Sequence, residues 1–374
     1  MANRRIFWAV QGVAIGMMGA DDVNVTGTTV NGKKIYKSTS KLNPVKGVQS
    51  IGINTNFNLE QAFELGQLAL YENIEEVPDI EVTMEKVLDG APLLYHLATS
   101  TVGGSASENS GLSGRGNERC DVRLAIYPDT AEQAGKKGRT NNIPEAEVYM
   151  SGMYLSSVSY SFPTDGNFTE SITLVGNHKE WAGVGEAGSA VFAAADDLGY
   201  GALGSPESAP SGVQRRQMLD VVNSTFPAEV RRASSDGGLN ATVADRKVHI
   251  NSISCSADLG REEIRELGRK GPYFRYITFP LEVSSEFEVT ATSGDFVNAF
   301  EEGRSSDKSN LTDRTIKFKL DDGTRIELGA KNKLNSVSYG GGDTGGGNST
   351  ITYSYSTFND FKVFHGQDPA AKTS

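Results

Sequence analysis

The stretch Gly47-Val-Gln-Ser-Ile-Gly-Ile-Asn-Thr-Asn-Phe-Asn-Leu-Glu-Gln-Ala-Phe-Glu-Leu-Gly66 decides the fold, because the chain carries its pattern twice. Laid on the region from His249, Ser50-Ile51 falls on Ser252-Ile253, Glu64-Leu65-Gly66 on Glu266-Leu267-Gly268 and Tyr71 on Tyr273, at one offset (252 − 50 = 202). A slip of one residue then brings Ile80-Glu81-Val82 onto Leu281-Glu282-Val283. In a second block Leu155-Ser-Ser-Val-Ser-Tyr160 matches Leu334-Asn-Ser-Val-Ser-Tyr339, and Ile172-Thr173 matches Ile351-Thr352, again at a constant offset (334 − 155 = 179). Two blocks that keep their order and register read as two tandem copies of one β-rich domain. The expected division is 1–180 for the first copy with an N-terminal arm, 181–245 for a Gly/Ala/Ser-rich connector, and 246–374 for the second copy.

Working outward, residues 48–55 alternate with the period of a strand, Ile51 and Ile53 on one face and Ser50, Gly52 and Asn54 on the other. Asn58 and Gln61 can cap a short helical turn ended by Gly66, and the same letters can equally continue as sheet. After Pro78, Ile80, Val82 and Met84 alternate with Asp79, Glu81, Thr83 and Glu85, and residues 92–98 suit a short helix. Residues 100–117 are Gly/Ser-rich and read as a loop, and 120–127 return to strand. Residues 147–175 form two alternating runs across a Pro-Thr-Asp-Gly turn. One face there holds Val158, Tyr160, Phe162, Phe168, Ile172 and Leu174; the other holds small hydroxyls such as Ser157, Ser159, Ser171 and Thr173. In the connector, 190–197 and 213–222 have helical character. The second copy then predicts a helix over 261–267 closed by Gly268, a strand over 273–290, a helix over 295–301, and hairpins at 315–328 and 336–355. Residues 1–17 predict an extended arm or strand, because Gln11 and glycines interrupt the apolar run a signal peptide would need.

Composition narrows the function. A chain of 374 residues with 42 glycines and 37% hydrophobic residues suits short strands and turns. Its net charge of −11 is the wrong sign for a general nucleic-acid binder. No apolar run reaches the length of a membrane helix. Cys120 and Cys255 form no disulfide framework, and Cys255 reads as a buried thiol. His96, His178, His249 and His365 have no metal-ligand spacing, so neither a metal nor a cofactor is expected. Gly183-Val-Gly-Glu-Ala-Gly188 matches the letters of a dinucleotide loop but lacks the βαβ context, and reads as a glycine-rich loop. Acidic residues recur at alternate strand positions in both copies, Asp79, Glu81 and Glu85 with Thr83 among them, then Glu282, Glu286 and Glu288. A catalytic carboxylate pair needs an orienting partner, which this stripe lacks. It fits a solvated face or, more sharply, a wall that must not hold a polyanion. An enzyme is the last-ranked reading.

Gly47-Val-Gln-Ser-Ile51, Phe63-Glu-Leu-Gly66 with Tyr71 and Pro78, the Asp89-Gly90 turn, and the hairpin over 155–175 resemble the tail tube (major tail) proteins of long-tailed bacteriophages. The resemblance implies a mainly β fold with short helices (α+β): two tandem β-sandwich domains whose strands join those of neighbouring subunits into a barrel. It implies self-association into trimeric rings of pseudo-sixfold symmetry that stack into a tube; the acidic stripe, with Glu81, Thr83, Glu85, Glu282, Glu286 and Glu288, is then the face expected to line its lumen. The implied place is the virion tail, and the implied partners are terminator, baseplate or tip and sheath proteins, with DNA passing without adhesion. A sheath or decoration protein, or a secreted β-domain binding module, are the alternatives.

Overall fold

The computed structural model describes residues 6, 11–17, 28–30, 33–35, 43–66, 68, 70–99, 112, 116–127, 146–183, 212–221, 223–227, 230, 249–269, 271–291, 313–342 and 347–364. Its elements are β1 (Gln11–Met17), β2 (Thr28–Val30), β3 (Lys33–Ile35), β4 (Asn43–Pro44), β5 (Val48–Asn56), β6 (Leu59–Phe63), β7 (Leu70–Glu75), β8 (Asp79–Val87), α1 (Leu94–Thr99), β9 (Arg119–Ile126), β10 (Ala146–Pro163), β11 (Thr169–Gly176) and β12 (His178–Gly183). There follow β13 (His249–Asp258), β14 (Arg261–Ile264), β15 (Phe274–Ile277), β16 (Glu282–Thr290), β17 (Lys317–Lys319), β18 (Arg325–Glu327), β19 (Lys333–Gly340), β20 (Thr350–Phe358) and β21 (Lys362–Phe364). The chain is mainly β, and its strand pairs are antiparallel.

Eight strands lie side by side in the order β19-β20-β16-β13-β10-β11-β8-β5. The second half of the chain supplies the first four and the first half the rest, and the seam between them is β10 against β13, from Ser157↔Asp258 to Pro163↔Ser252. The ladders of the two halves correspond pair by pair. Leu59↔Glu75 and Gln61↔Asn73 in the β6–β7 hairpin match Arg261↔Ile277 and Glu263↔Arg275 in β14–β15 (261 − 59 = 202). β5 and β13 bulge at Val48/Ser50 and Ile250/Ser252, and β10 and β19 at Leu155/Ser157 and Leu334/Ser336. Bulges at matching places are local backbone features that a shared architecture keeps.

The ladders also correct two letter matches. Ser50 pairs Glu85 and Ser252 pairs Glu288, so β8 maps onto β16 with a larger shift (288 − 85 = 203), and Glu81 corresponds to Ser284 rather than Glu282. Ser171 and Thr352 are the next partners of those carboxylates, which sets Ile172 opposite Tyr353 in the comparison rather than Ile351. A slip of two residues keeps every side chain on its own face, so the hydrophobic pattern cannot detect it.

The sheet buries one face. Val82, Met84, Tyr160, Ile172, Phe287 and Tyr355 are all under 2% exposed. β10 reaches beyond this sheet: at Gly152, with φ +66, its register against β9 shifts, and its first half pairs with β9 and β12. The Gly152 N–H donates to the buried Asp121 carboxylate at 3.0 Å, and a bulge with left-handed backbone lets one strand serve two layers. α1 packs between these layers, against β1, β9, β10 and β11. The connector residue Phe226 is buried in an aromatic cluster, its ring 6.1 Å from Phe287 and 6.0 Å from Phe318, while Phe162 lies 5.7 Å from Phe318. First half, connector and second half therefore share one core. Cys120 and Cys255 are buried, and burial pushes the Cys255 thiol up to about 12.

Glu147 in β10 is 4% exposed, and both carboxylate oxygens lack a hydrogen-bond partner among the described residues. Burial pushes its carboxyl up to about 8, with the Arg123 charge pulling the other way. The unfolded carboxyl titrates near 4.5, so the folded chain holds a proton that the unfolded one has lost. Stability is therefore undiminished below about pH 4.5 and falls as the pH rises towards 8. Glu147→Gln should gain on the order of 3 kcal/mol at pH 8 and almost nothing at pH 4, by urea titration. An equal gain at both pH values would rule this out.

Three expectations change. Residues 261–267 are not helical: β14 pairs with β15 and the chain turns at Gly268, φ +84. Helix-favouring letters lose to anchoring by Arg261, which donates to the Leu155 carbonyl at 2.8 Å. The strand expected over 273–290 breaks between β15 and β16, where Pro280 offers no N–H to a ladder. Of the helix expected at 213–222 there is a 3₁₀ turn at Arg216–Met218, because the backbone pairs elsewhere: Gln214 N–H donates to Leu88 and Thr225 N–H to Lys317. The helices read at 190–197 and 295–301 lie outside the described residues, as does Gly183–Gly188 beyond its first residue. The open letters at 58–65 resolve as β6, and the N-terminal run resolves as β1, paired with β9.

Candidate assembly surface

The face of the eight-stranded sheet turned from the core is built by strand alternation alone, and it is small and polar. One ladder row reads Ser50, Glu85, Ser171, Ser159, Ser256, Ser284, Ser356 and Lys333 across all eight strands. Glu81, Thr83, Glu85, Glu282, Glu286 and Glu288 all stand on this face; Glu85 and Glu288 are half-buried and the other four exposed. Ladder neighbours separate the carboxylates. Ser252 donates to Glu288 and Ser354 to Glu286, each at 3.3 Å. At the outward positions of these strands acids number seven (Asp79, Glu81, Glu85, Asp258, Glu282, Glu286, Glu288), and Lys333 is the one base among the described residues. Seven carboxylates stand against this one lysine, which is itself paired with Asp313 at 2.9 Å, so the face offers a polyanion little to hold.

Among the described residues the sheet ends in two edges, β5 and β19, each hydrogen-bonded on one side. By the ladder correspondence β5 is the equivalent of β13 and β19 that of β10. The two free edges are thus the two sides of the seam already made within the chain. Long free edges invite pairing with another chain.

A hairpin accompanies each of the strands β5 and β13. β14–β15 lies on the first half of the chain. Arg275 reaches Asp79 at 2.7 Å, Glu263 at 2.5 Å and Asn177 at 3.1 Å; Arg265 reaches Glu76 at 3.1 Å; and the Phe274 ring stacks edge-on to Tyr154 at 5.2 Å. For Asp79 burial works against ionisation, but hydrogen bonds from Asn58 and Arg275, and the Arg275 charge, hold its carboxyl below the usual range. Among the described residues β6–β7 has no arginine-carboxylate joint of this kind: every residue of β7 is exposed, with Phe63 at 65% and Leu65 at 103%. The acidic stripe was legible from alternation; the arginine joint was not, since Arg275 and Asp79 lie far apart in sequence.

No family model matches this chain, and no curated protein does. Solved structures similar to it include the sheath–tube complex of the extracellular contractile injection system PVC in its extended state, at 11% identity and TM-score 0.29 over 49% of this chain and 95% of that one. The anti-feeding prophage baseplate is similar at 10% identity and TM-score 0.29, over 50% of this chain and 99% of that chain. The anti-feeding prophage tube-terminating cap gives 10% and 0.29, over 49% and 95%.

Proposed function

We propose that this chain is a structural subunit of a phage-type tail tube, the conduit through which DNA is delivered. Its two domains, 1–180 and 246–374 joined by 181–245, act as two of six units in a ring of three chains. β5 of one chain pairs with β19 of the next, as β13 pairs with β10 inside the chain. The β10–β13 seam is the single observation that carries this reading, because it is a head-to-tail joint whose two sides recur, unpaired among the described residues, at the ends of the same sheet. A head-to-tail joint that repeats through a closing rotation makes a ring, and closure removes the exposed edges.

Three sheets of eight strands, at ~4.8 Å per strand, give a circumference on the order of 115 Å and a backbone diameter of at least ~35 Å before strand tilt widens it. Short serine and threonine side chains on the inner wall leave room for a double helix. In this arrangement Glu81, Thr83, Glu85, Glu282, Glu286 and Glu288 line the bore and DNA slides past without ion pairs. Rings stack, and the ends of the stack meet terminator and baseplate or tip proteins, with a sheath outside where the tail contracts. The subunit performs no catalysis.

Purified chain at tens of micromolar should form closed rings or short tubes in negative stain, with a mass of three chains per ring. A uniformly monomeric species at that concentration overturns the proposal.

A further inference from the structure

The two hairpins hold equivalent places in the two halves but differ in chemistry. Their ladders align at one offset, and the bond from Glu76 N–H to the Asn58 carbonyl recurs as that from Thr278 N–H to Gly260. Position by position, Arg261, Glu263, Arg265 and Arg275 of β14–β15 become Leu59, Gln61, Phe63 and Asn73 of β6–β7. The surface that receives β14–β15 changes in step: Glu76, Asp79 and Asn177 of the first half correspond to Thr278, Glu282 and Phe358 of the second. The joint inside the chain therefore carries six charged side chains, and the equivalent free positions carry one, Glu282. Apolar residues are exposed on both free sides, Phe63 at 65% on the hairpin and Phe279 and Phe358 at 48% and 56% on the receiving end.

We infer that β6–β7 docks onto the second half of another copy of this chain, at the place β14–β15 takes on the first half, with Phe63 against Thr278 and Phe279 and Asn73 beside Glu282 and Phe358. This rests on the head-to-tail reading and specifies its second contact. The occupant is a second copy because the receiving end and the hairpin are the two unmatched members of a pair that the chain already shows assembled. The difference in chemistry has a physical reason. Within one chain the partners are already tethered, and ion pairs contribute chiefly orientation. Between chains, association must overcome lost translational freedom, and burial of apolar surface supplies that. The contrast also keeps the joints apart: three arginines on an end that offers the single carboxylate Glu282, or Phe63 against Glu76 and Asp79, would leave charges buried without partners.

The test uses the full chain with Phe63→Arg, Thr278→Glu and both together, followed by sedimentation velocity and circular dichroism. Phe63 and Thr278 are exposed, so each variant should fold as the parent does. Phe63→Arg should weaken ring formation at least ~100-fold, since a bare guanidinium would be buried without a carboxylate. The double variant should recover to within ~10-fold of the parent by copying the Arg265–Glu76 pair, and its assembly should now weaken with salt. Parent rings with undiminished Phe63→Arg rings overturn this inference and leave the head-to-tail reading standing. Loss in Phe63→Arg without recovery in the double variant overturns the assigned docking place. A parent that never assembles overturns the head-to-tail reading and this inference with it.

Discussion

Glu170→Ala should lower the unfolding free energy by about 3–5 kcal/mol, the range for removing one member of a buried charged cluster. Glu170 is fully buried in β11 and accepts three hydrogen bonds, from Leu94 N–H at 2.6 Å, Tyr95 N–H at 3.0 Å and the Tyr160 hydroxyl at 2.8 Å. It thereby satisfies donors at the start of α1 that have no partner within so short a helix. Its ladder neighbour Lys86 is fully buried too, held at 2.6 Å by Asp89 and donating to the Val87 carbonyl. Alanine would strand two N–H groups and a hydroxyl, and leave Lys86 with only Asp89 and the neighbouring Asp322 to balance it. Burial raises the Glu170 carboxyl, with the Tyr95 N–H, the Tyr160 hydroxyl, the Leu94 N–H and the Lys86 charge opposing. Because the folded value lies above the unfolded one, this ionisation costs stability as the pH climbs past the ordinary carboxylate range. Glu170→Gln keeps one acceptor oxygen and should lose about half as much. Guanidinium titration of the three proteins decides it, and an alanine variant within about 1 kcal/mol of the parent would show that the cluster is not what holds α1 to the sheet.

The second large effect concerns the bore. Glu81→Lys with Glu282→Lys changes each chain by four charges and places six lysines in a ring of three chains. Parent tubes should retain no duplex DNA. The variant tubes should retain it at low salt and release it as salt rises, with a log–log slope of about −5 if each lysine meets one phosphate. Particles carrying the variant should assemble and fail to deliver DNA. Unimpaired delivery by such particles would place these residues outside the bore.

The arginine joint and the glutamate stripe show why the two levels of reading differ. Glu81, Glu85, Glu286 and Glu288 could be set on one face from the letters alone, because a strand has a period of two and the buried partners Val82, Met84 and Phe287 are plainly apolar. The same period hides a slip of two: the letters align Glu81 with Glu282, whereas the ladders make Ser284 its equivalent. Residues 261–267 show the reverse failure. Their glutamates and arginines favour a helix, while their equivalents at 59–65 leave a helical turn and sheet equally open, so the letters of neither copy reveal the hairpin.

The repeat, the mainly β class, the strand alternation and the Ser/Thr/Glu face were determined by sequence, because each depends on neighbours a few residues apart and on a pattern the chain states twice. The order of the strands, the joining of both halves through β10 and β13, and the choice of which hairpin is sheltered and which stands free were decided by tertiary structure. Those features depend on contacts such as Arg275 to Asp79 and Phe162 to Phe318, between residues far apart along the chain. Local periodicity carries no information about which distant surface will satisfy them.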